Sequence, residues 1–314
     1  MNSTCFILPG PDHWASSRIR GIWPAKFMPD ATTAVIGSKL PEADTYIWVK
    51  SFNPDLVRQY KQVGKRNYLD FCDPAWWWAP SQIRHALDDV DHVICSCQAI
   101  ANDFQQEFDY KPLIIRDRMW LPHFDKQHTH KPIDRGQPVR FIWYGGGQNR
   151  HSLLGAMGYF ERLVSNGVQI SLTIMDDKPR EYWEITDLFP VSNIKWELAK
   201  EVEVIAAHDI AMLPPYPGPW GRLKTNNKAL HAWACNVAVS DAMDWPYLWQ
   251  LATSTEFRTH AAAAGRRMVE TDYNVEQSAA EWLEVLGYNE NEAYLNYIDE
   301  QEEIALNESE DDNA

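Results

Sequence analysis

Short apolar runs bounded by turn residues recur along the first third of the chain. They are Cys5 to Leu8, Ala34 to Ile36, Thr45 to Val49, Asn67 to Phe71, His92 to Ser96 and Pro112 to Ile115. Each is too short for a buried helix and reads as a strand. The longer mixed stretches between them read as helices, and the alternation predicts a parallel sheet covered on both faces. The polar stretch Asp125 to Pro138, which carries His128, His130 and two prolines, breaks the pattern and reads as a linker. Alternation then restarts: a strand at Val139 to Tyr144 runs into Gly145-Gly146-Gly147, a helix begins near Ser152, and strands follow at Gln169 to Met175, near Ile194 and at Ile210 to Leu213. The expectation is an α/β chain of two Rossmann-like domains, residues 1–124 and 139–274, with the linker at 125–138. C-terminal helices are expected over 275–305, and an acidic tail over 306–314.

The most informative segment follows the Ile210 strand, which Pro214 and Pro215 stop. Thr225 is the expected N-cap of a helix from about Asn226 to Cys235 that turns Ala229, Leu230, Trp233 and Ala234 inward. Its first backbone N–H groups and positive dipole end, flanked by Lys224 and Lys228, make an anion site that needs no metal. The alternative reading is a solvated basic loop.

Composition narrows the class. A length of 314 residues fits two domains, and 45% hydrophobic with 23% charged residues is ordinary for a globular chain. The net charge of −15 is misleading until it is located: residues 270 to 314 hold fifteen acids and no lysine or arginine, so the rest of the chain is balanced. No apolar run approaches the ~20 residues of a membrane span, and Met1 to Pro11 lacks a basic leader, so a cytoplasmic chain with no membrane span is expected. Five scattered cysteines suit reduced thiols, and Cys95-Ser-Cys97 has no second pair at zinc-finger spacing. The acid pairs Asp89 with Asp91 and Asp176 with Asp177 lack the further spaced acid of an oxygen cage, so no metal site is assigned.

Other candidate chemistry sits after strands. The turn Gly145-Gly146-Gly147 lets backbone approach a ligand, but Gly145-x-Gly147-x-x-Arg150 fails the dinucleotide fingerprint at its third glycine, against a nicotinamide or flavin enzyme. After the first strand, Asp12 and His13 are candidate general bases, and Arg18 and Arg20 candidate phosphate or carboxylate ligands. Trp76, Trp77 and Trp78 cannot all face one core, so part of that surface is available for stacking on a sugar or base. Arg116 and Arg118 sit among aromatics before the linker.

Together these positions resemble a GT-B glycosyltransferase, in particular the retaining group that uses nucleotide sugars. The resemblance is carried by Ser16-Ser-Arg18-Ile-Arg20-Gly21, His92 to Ser96, Leu121-Pro-His-Phe, Phe141 to Gly145, Asp209 to Pro215, Lys224-x-x-Asn227-Lys228-Ala-Leu-x-Ala-x-Ala234 and Arg266 to Tyr273. It implies two Rossmann-like domains facing a cleft, with the C-terminal helices of 275–305 crossing back to the first domain, and a nucleotide-diphosphate sugar, UDP-sugar first, as donor substrate and no cofactor. Donor contacts are expected from Gly145, Gly146, Gly147, Arg222, Lys224, Thr225, Asn226, Asn227, Lys228 and His231, and acceptor contacts from Arg18, Arg20, Trp76, Trp77, Trp78, Arg116 and Arg118. His231 stands where many relatives carry a ribose-gripping glutamate, and Asn236-Val-Ala238 replaces the usual Gly-x-Pro. The acceptor is left open among carbohydrates, lipid-linked sugars and hydroxylated nucleobases in DNA. A sugar-nucleotide epimerase and a non-catalytic nucleotide-sugar or nucleic-acid binding module are the alternatives.

Overall fold

The computed structural model describes residues 3–133, 136–178 and 186–288. The chain divides into two compact units, Met1–Arg118 with the segment from Val275 onward, and Met119–Asn274. The acidic tail expected at 306–314, and residues 289–305 of the expected terminal helices, lie outside the described residues.

The first unit is built on a six-stranded sheet: β1 Thr4–Leu8, β2 Ala31–Val35, β3 Thr45–Val49, β4 Arg66–Phe71, β5 His92–Cys95 and β6 Leu113–Ile114. The order is β2-β1-β3-β4-β5-β6, and every pair is parallel. All five residues of β1 and of β3 are buried, whereas edge strand β2 is largely open. That contrast is why the central strands read as unbroken apolar runs. Asn53 begins the helix Pro54–Gln62 by accepting from the amides of Asp55 and Leu56, with Pro54 in the first turn, where its missing N–H costs nothing. The helix Val275–Val285 packs on this sheet: Trp282 is fully buried, edge-on to Phe6 at 5.7 Å and to Tyr68 at 6.3 Å.

The second unit carries a five-stranded parallel sheet: β7 Val139–Gly145, β8 Ile170–Asp176, β9 Val191–Lys195, β10 Ile210–Met212 and β11 Ala238–Ser240. Its order, β11-β10-β7-β8-β9, is the doubly wound Rossmann arrangement, in which the winding reverses between β7 and β10. Phe141, Trp143, Phe160, Leu172, Ile174, Ile210, Met212 and Leu248 form its core. The stretch read as a linker is bonded into this unit at its centre, where the His128 amide donates to Cys235 O at 2.7 Å and the Asn236 side chain donates to His128 O at 2.9 Å.

Candidate functional site

In an open parallel sheet the ligand crevice lies at the carboxyl ends of the strands, where the winding reverses. In the second unit that point is between the ends of β7 and β10. Gly145 closes β7, and the segment leaving β10 returns through a one-turn helix, Pro219–Arg222, to the helix Asn227–Ala234. The helix starts one residue later than the sequence suggests. Asn226, not Thr225, is the N-cap, and its side chain makes no capping bond to the first turn. Leu230 and Ala234 are buried as expected, with His231 and Ala232 beside them, while Ala229 and Trp233 are half-buried. Trp233 lies so close to Gly265 of the helix Thr255–Asp272 that any side chain there would strike the indole. At the other end Asn236 takes the left-handed backbone, φ 56°, that the missing glycine would have supplied.

Lys228 is the centre of this arrangement. Its ammonium sits 4.6 Å from the centroid of the Trp143 ring, and a Cβ on Gly145 would come within 2.5 Å of Nζ and 2.7 Å of Cε. Gly145 also has φ +154°, so both its backbone and the lysine passing over it require glycine. The Tyr144 hydroxyl donates a short hydrogen bond to Lys228 O and anchors the first helical turn to the end of β7. Burial, with repulsion from Lys224 second, lowers the Lys228 ammonium from 10.5 to about 8. Among the described residues no carboxylate pairs with it. Lys224 is exposed and lies over the Trp220 ring at 4.1 Å. Lys228 is thus desolvated and repelled by a second lysine, an arrangement that a nearby negative charge would stabilise. Arg222, exposed on the one-turn helix, and the half-buried Asn227 border it in sequence.

Several expected donor residues are differently employed. The Gly147 amide donates to Asp177 Oδ1 at 2.5 Å, so a carboxylate of the chain already fills the anion role at that turn. The turn leads into a 3-10 stretch, Gly147–Ala156, before the helix Met157–Ser165. Asp176, at the end of β8 where dinucleotide-binding folds hold a ribose, is fully buried and bonded to Arg150, with Nε at 2.6 Å. His231 is buried, with Nδ1 3.0 Å from Glu201 Oε1 and Phe124 edge-on at 5.2 Å. It therefore supports the core beneath the helix and is not placed to grip a ribose. Gly146 is set back from these bonds, next to the Gln148 side chain.

In the first unit the winding reverses between β1 and β3. The loop leaving β1 carries Asp12 and His13, 75% and 53% exposed at their side chains, with His13 Nδ1 4.0 Å from Asp12 Oδ1. Arg18 is buried and acts on this loop, donating from one terminal nitrogen to Asp12 O at 3.2 Å and to His13 O at 2.8 Å. It shapes the turn and does not point at a ligand. Arg20, only 2% exposed, is committed as well: Nε donates to Asp70 Oδ2 at 2.9 Å, and Nη1 to Ile115 O at 2.6 Å and Asp117 Oδ1 at 3.2 Å. Burial pushes the Asp70 carboxyl up and Arg20 pulls it back. Arg118 is likewise buried against Glu281 and Ser278, with Nη1 at 2.7 Å and 3.1 Å.

The tryptophan triplet divides. Trp76 is core, edge-on to Phe104 at 5.0 Å and to Phe71 at 5.7 Å, while Trp77 and Trp78 are open at 44% and 59%. Trp76 and Trp77 both donate from their indole nitrogens to Asp103 Oδ2, at 2.6 and 2.9 Å. Arg116 is exposed. Asp89 and Asp91 bind Arg58 at 3.0 Å and Lys61 at 2.9 Å. Cys95 and Cys97 are free thiols that burial pushes up. Among the described residues, one group of nitrogen and oxygen donors could hold a metal ion: His128, His130 and Asp209. None of the three was singled out as a ligand from the sequence, although the spacing His128-x-His130 with His208-Asp209 is a visible signal. No helix of the described residues is long and apolar enough to cross a membrane.

No protein-family model and no curated protein sequence matches the chain. Solved structures do. A glycosyltransferase from Rickettsia africae superposes with a TM-score of 0.58 over 90% of this chain and 97% of that one, at 11% identity. WaaG, a glycosyltransferase involved in lipopolysaccharide biosynthesis, matches with a TM-score of 0.54 over 90% and 99%, at 15% identity. TarM of S. aureus, solved with UDP, matches with a TM-score of 0.51 over 77% of this chain and 55% of that one, at 11% identity. At such identities the likeness speaks for architecture, and with two parallel α/β units in one chain it settles it: the protein has the GT-B glycosyltransferase fold.

Proposed function

We propose that the protein is a glycosyltransferase that moves a sugar from a nucleotide-diphosphate sugar to a hydroxyl acceptor. The observation that carries this reading is Lys228, a desolvated ammonium repelled by Lys224 and stationed over Gly145 at the carboxyl edge of a Rossmann sheet. A desolvated Lys228 ammonium repelled by a second lysine is unfavourable, and a bound diphosphate relieves it. As the glycosidic bond breaks, negative charge grows on the departing diphosphate, and pre-placed cations stabilise that state more than the ground state. Lys224, Lys228, Arg222 and the first-turn amides at Asn226, Asn227 and Lys228 are assigned this role, without a divalent ion. Thr225 and Gly146 are assigned to shape the donor loop. The UDP held by TarM supports a uridine nucleotide as the first donor to test.

The acceptor is assigned to the carboxyl edge of the first sheet, where Asp12, His13, Trp77, Trp78 and Arg116 are open to solvent. Exposed indoles suit the apolar face of a carbohydrate, so a carbohydrate hydroxyl is the acceptor class proposed. An inverting reaction requires a base for the acceptor proton, and His13 next to Asp12 is the group assigned to it. A retaining reaction leaves His13 dispensable.

The test is incubation with a panel of nucleotide sugars and of hydroxyl acceptors, including glycans and hydroxymethylated DNA, read as a mass gain of one sugar. Transfer that disappears in Lys224→Ala and Lys228→Met is expected. Each lost charge-assisted contact is worth about 1.5–3 kcal/mol, or roughly 10- to 100-fold in donor affinity. An epimerised free sugar nucleotide with no transfer, or donor binding without turnover over the whole panel, would overturn the reading.

A further inference from the structure

On the amino edge of the second sheet, opposite the edge that carries Lys228, two histidines and an aspartate turn toward one another. His128 Nδ1 lies 2.9 Å from Ala206 O and His130 Nε2 lies 3.1 Å from Asn236 O. A carbonyl oxygen only accepts, so each of these nitrogens carries the proton. The tautomers are thereby fixed, and the lone pairs fall on His128 Nε2 and His130 Nδ1. Both atoms are buried, neither has a hydrogen-bond partner, and the two rings meet edge to face at 4.4 Å. His128 Nε2 stands 3.3 Å from Asp209 Oδ1, and the three donor atoms lie within 4.8 Å of one another. With both imidazoles neutral, three electron-pair donors converge there, and a positive centre among them, a metal ion or a second proton on His128, turns their repulsion into attraction.

We propose that His128 Nε2, His130 Nδ1 and Asp209 Oδ1 form a site for a zinc-class transition ion that clips the 128–130 segment to the amino edge of the sheet. Zinc bonds of about 2.0–2.1 Å place tetrahedral ligands roughly 3.3 Å apart, which the His128 to Asp209 edge already meets. Rotation of the His130 ring closes the remainder, and water completes the tetrahedron. The surroundings are those of ligating side chains. Each imidazole donates its other N–H to a backbone carbonyl, and Asp209 is oriented by the Arg140 amide at 2.9 Å, its Nε at 3.0 Å and its Nη2 at 3.1 Å.

The charges facing the site select among ions. Arg140, half-exposed, and Arg258, fully buried, both weigh against a cation, and Asp209 is the one carboxylate of the three-residue group. A hard ion such as magnesium or calcium, which needs several oxygens, gains too little there, whereas zinc or cobalt gains from the two imidazoles.

The test uses the full chain, stripped with a chelator and then given Zn2+ or Co2+. Expected are one equivalent of metal retained through gel filtration, a higher Tm with Zn2+ and not with Mg2+, and the visible absorption of four-coordinate Co2+. Asp209→Asn and His130→Gln should lose the metal. Should Asp209→Asn fail to fold because Arg140 loses its partner, His130→Gln decides, since glutamine can donate to Asn236 O but offers no ring nitrogen. A wild-type chain that retains no zinc, with a Tm indifferent to zinc and chelator, overturns the proposal and leaves a second proton on His128 as the link to Asp209. Full zinc binding by His130→Gln overturns it as well.

Discussion

Lys228→Met removes a half-buried, desolvated charge while leaving a stem of similar length over Trp143. The ammonium has fallen from 10.5 to about 8 because burial strips its water and Lys224 repels it. At ~1.4 kcal/mol per pH unit, the protonated side chain at pH 7 destabilises the fold by up to about 3 kcal/mol. Partial solvent access brings the expected effect to about 1–2 kcal/mol. For a unit the size of Met119–Asn274 that gain corresponds to roughly 2–8 °C in Tm. The folded value lies below the unfolded one, so the unfolded chain binds more protons between about pH 8 and 10.5. Wild-type stability therefore rises through this window on account of Lys228, and the variant lacks that rise. Thermal unfolding of both proteins at pH 7, 8, 9 and 10 should show the variant more stable at pH 7, with the difference shrinking as pH increases. A variant less stable than wild type at pH 7, or a difference that ignores pH, would refute the reasoning.

Three further outcomes are expected. UDP binding, measured by calorimetry, should weaken above about pH 8, by up to tenfold per unit, because a bound diphosphate favours the protonated lysine; affinity that is flat from pH 7 to 9.5 would count against Lys228 as a ligand. Gly145→Ala forces a side chain into φ +154° and against Lys228 Nζ; backbone strain of about 1–3 kcal/mol should weaken UDP by roughly tenfold, and unchanged binding would show the lysine free to move. Asp70→Asn leaves the Arg20 guanidinium buried without its main counter-charge and should destabilise the first unit by about 3–5 kcal/mol in urea unfolding; a loss under 1 kcal/mol would mean that Asp117 suffices.

The sheets were legible because central parallel strands are buried on both faces. β3 begins and ends where its apolar run does, and β7 and β8 differ from the expected limits by one residue. The Asn227–Ala234 helix was legible from its inward residues, although its cap was displaced by one position, since Thr225 and Asn226 are both chemically competent. Buried ion pairs were not. Arg20 follows a strand and looks like a ligand until Asp70, fifty residues away on β4, and Asp117 are brought against it. His231 reads as a substituted ribose contact until Glu201, on the helix Leu198–Ala206, meets it. Both errors have one physical cause: a charged side chain pairs with whatever the topology delivers, and topology is not local. Trp76 and Trp78 show the same limit, because three consecutive indoles declare that they diverge but not which one faces the core. His128 and His130 read in the sequence as part of a polar linker, and only the fold shows Asp209 beside them.

The most direct measurement is the pKa of Lys228 itself, by NMR of lysines labelled at Cε, with and without UDP, assigned by Lys228→Met. A value near 8 is expected in the free protein, rising when the diphosphate binds. A Lys228 that titrates with the exposed lysines and does not respond to UDP would contradict it.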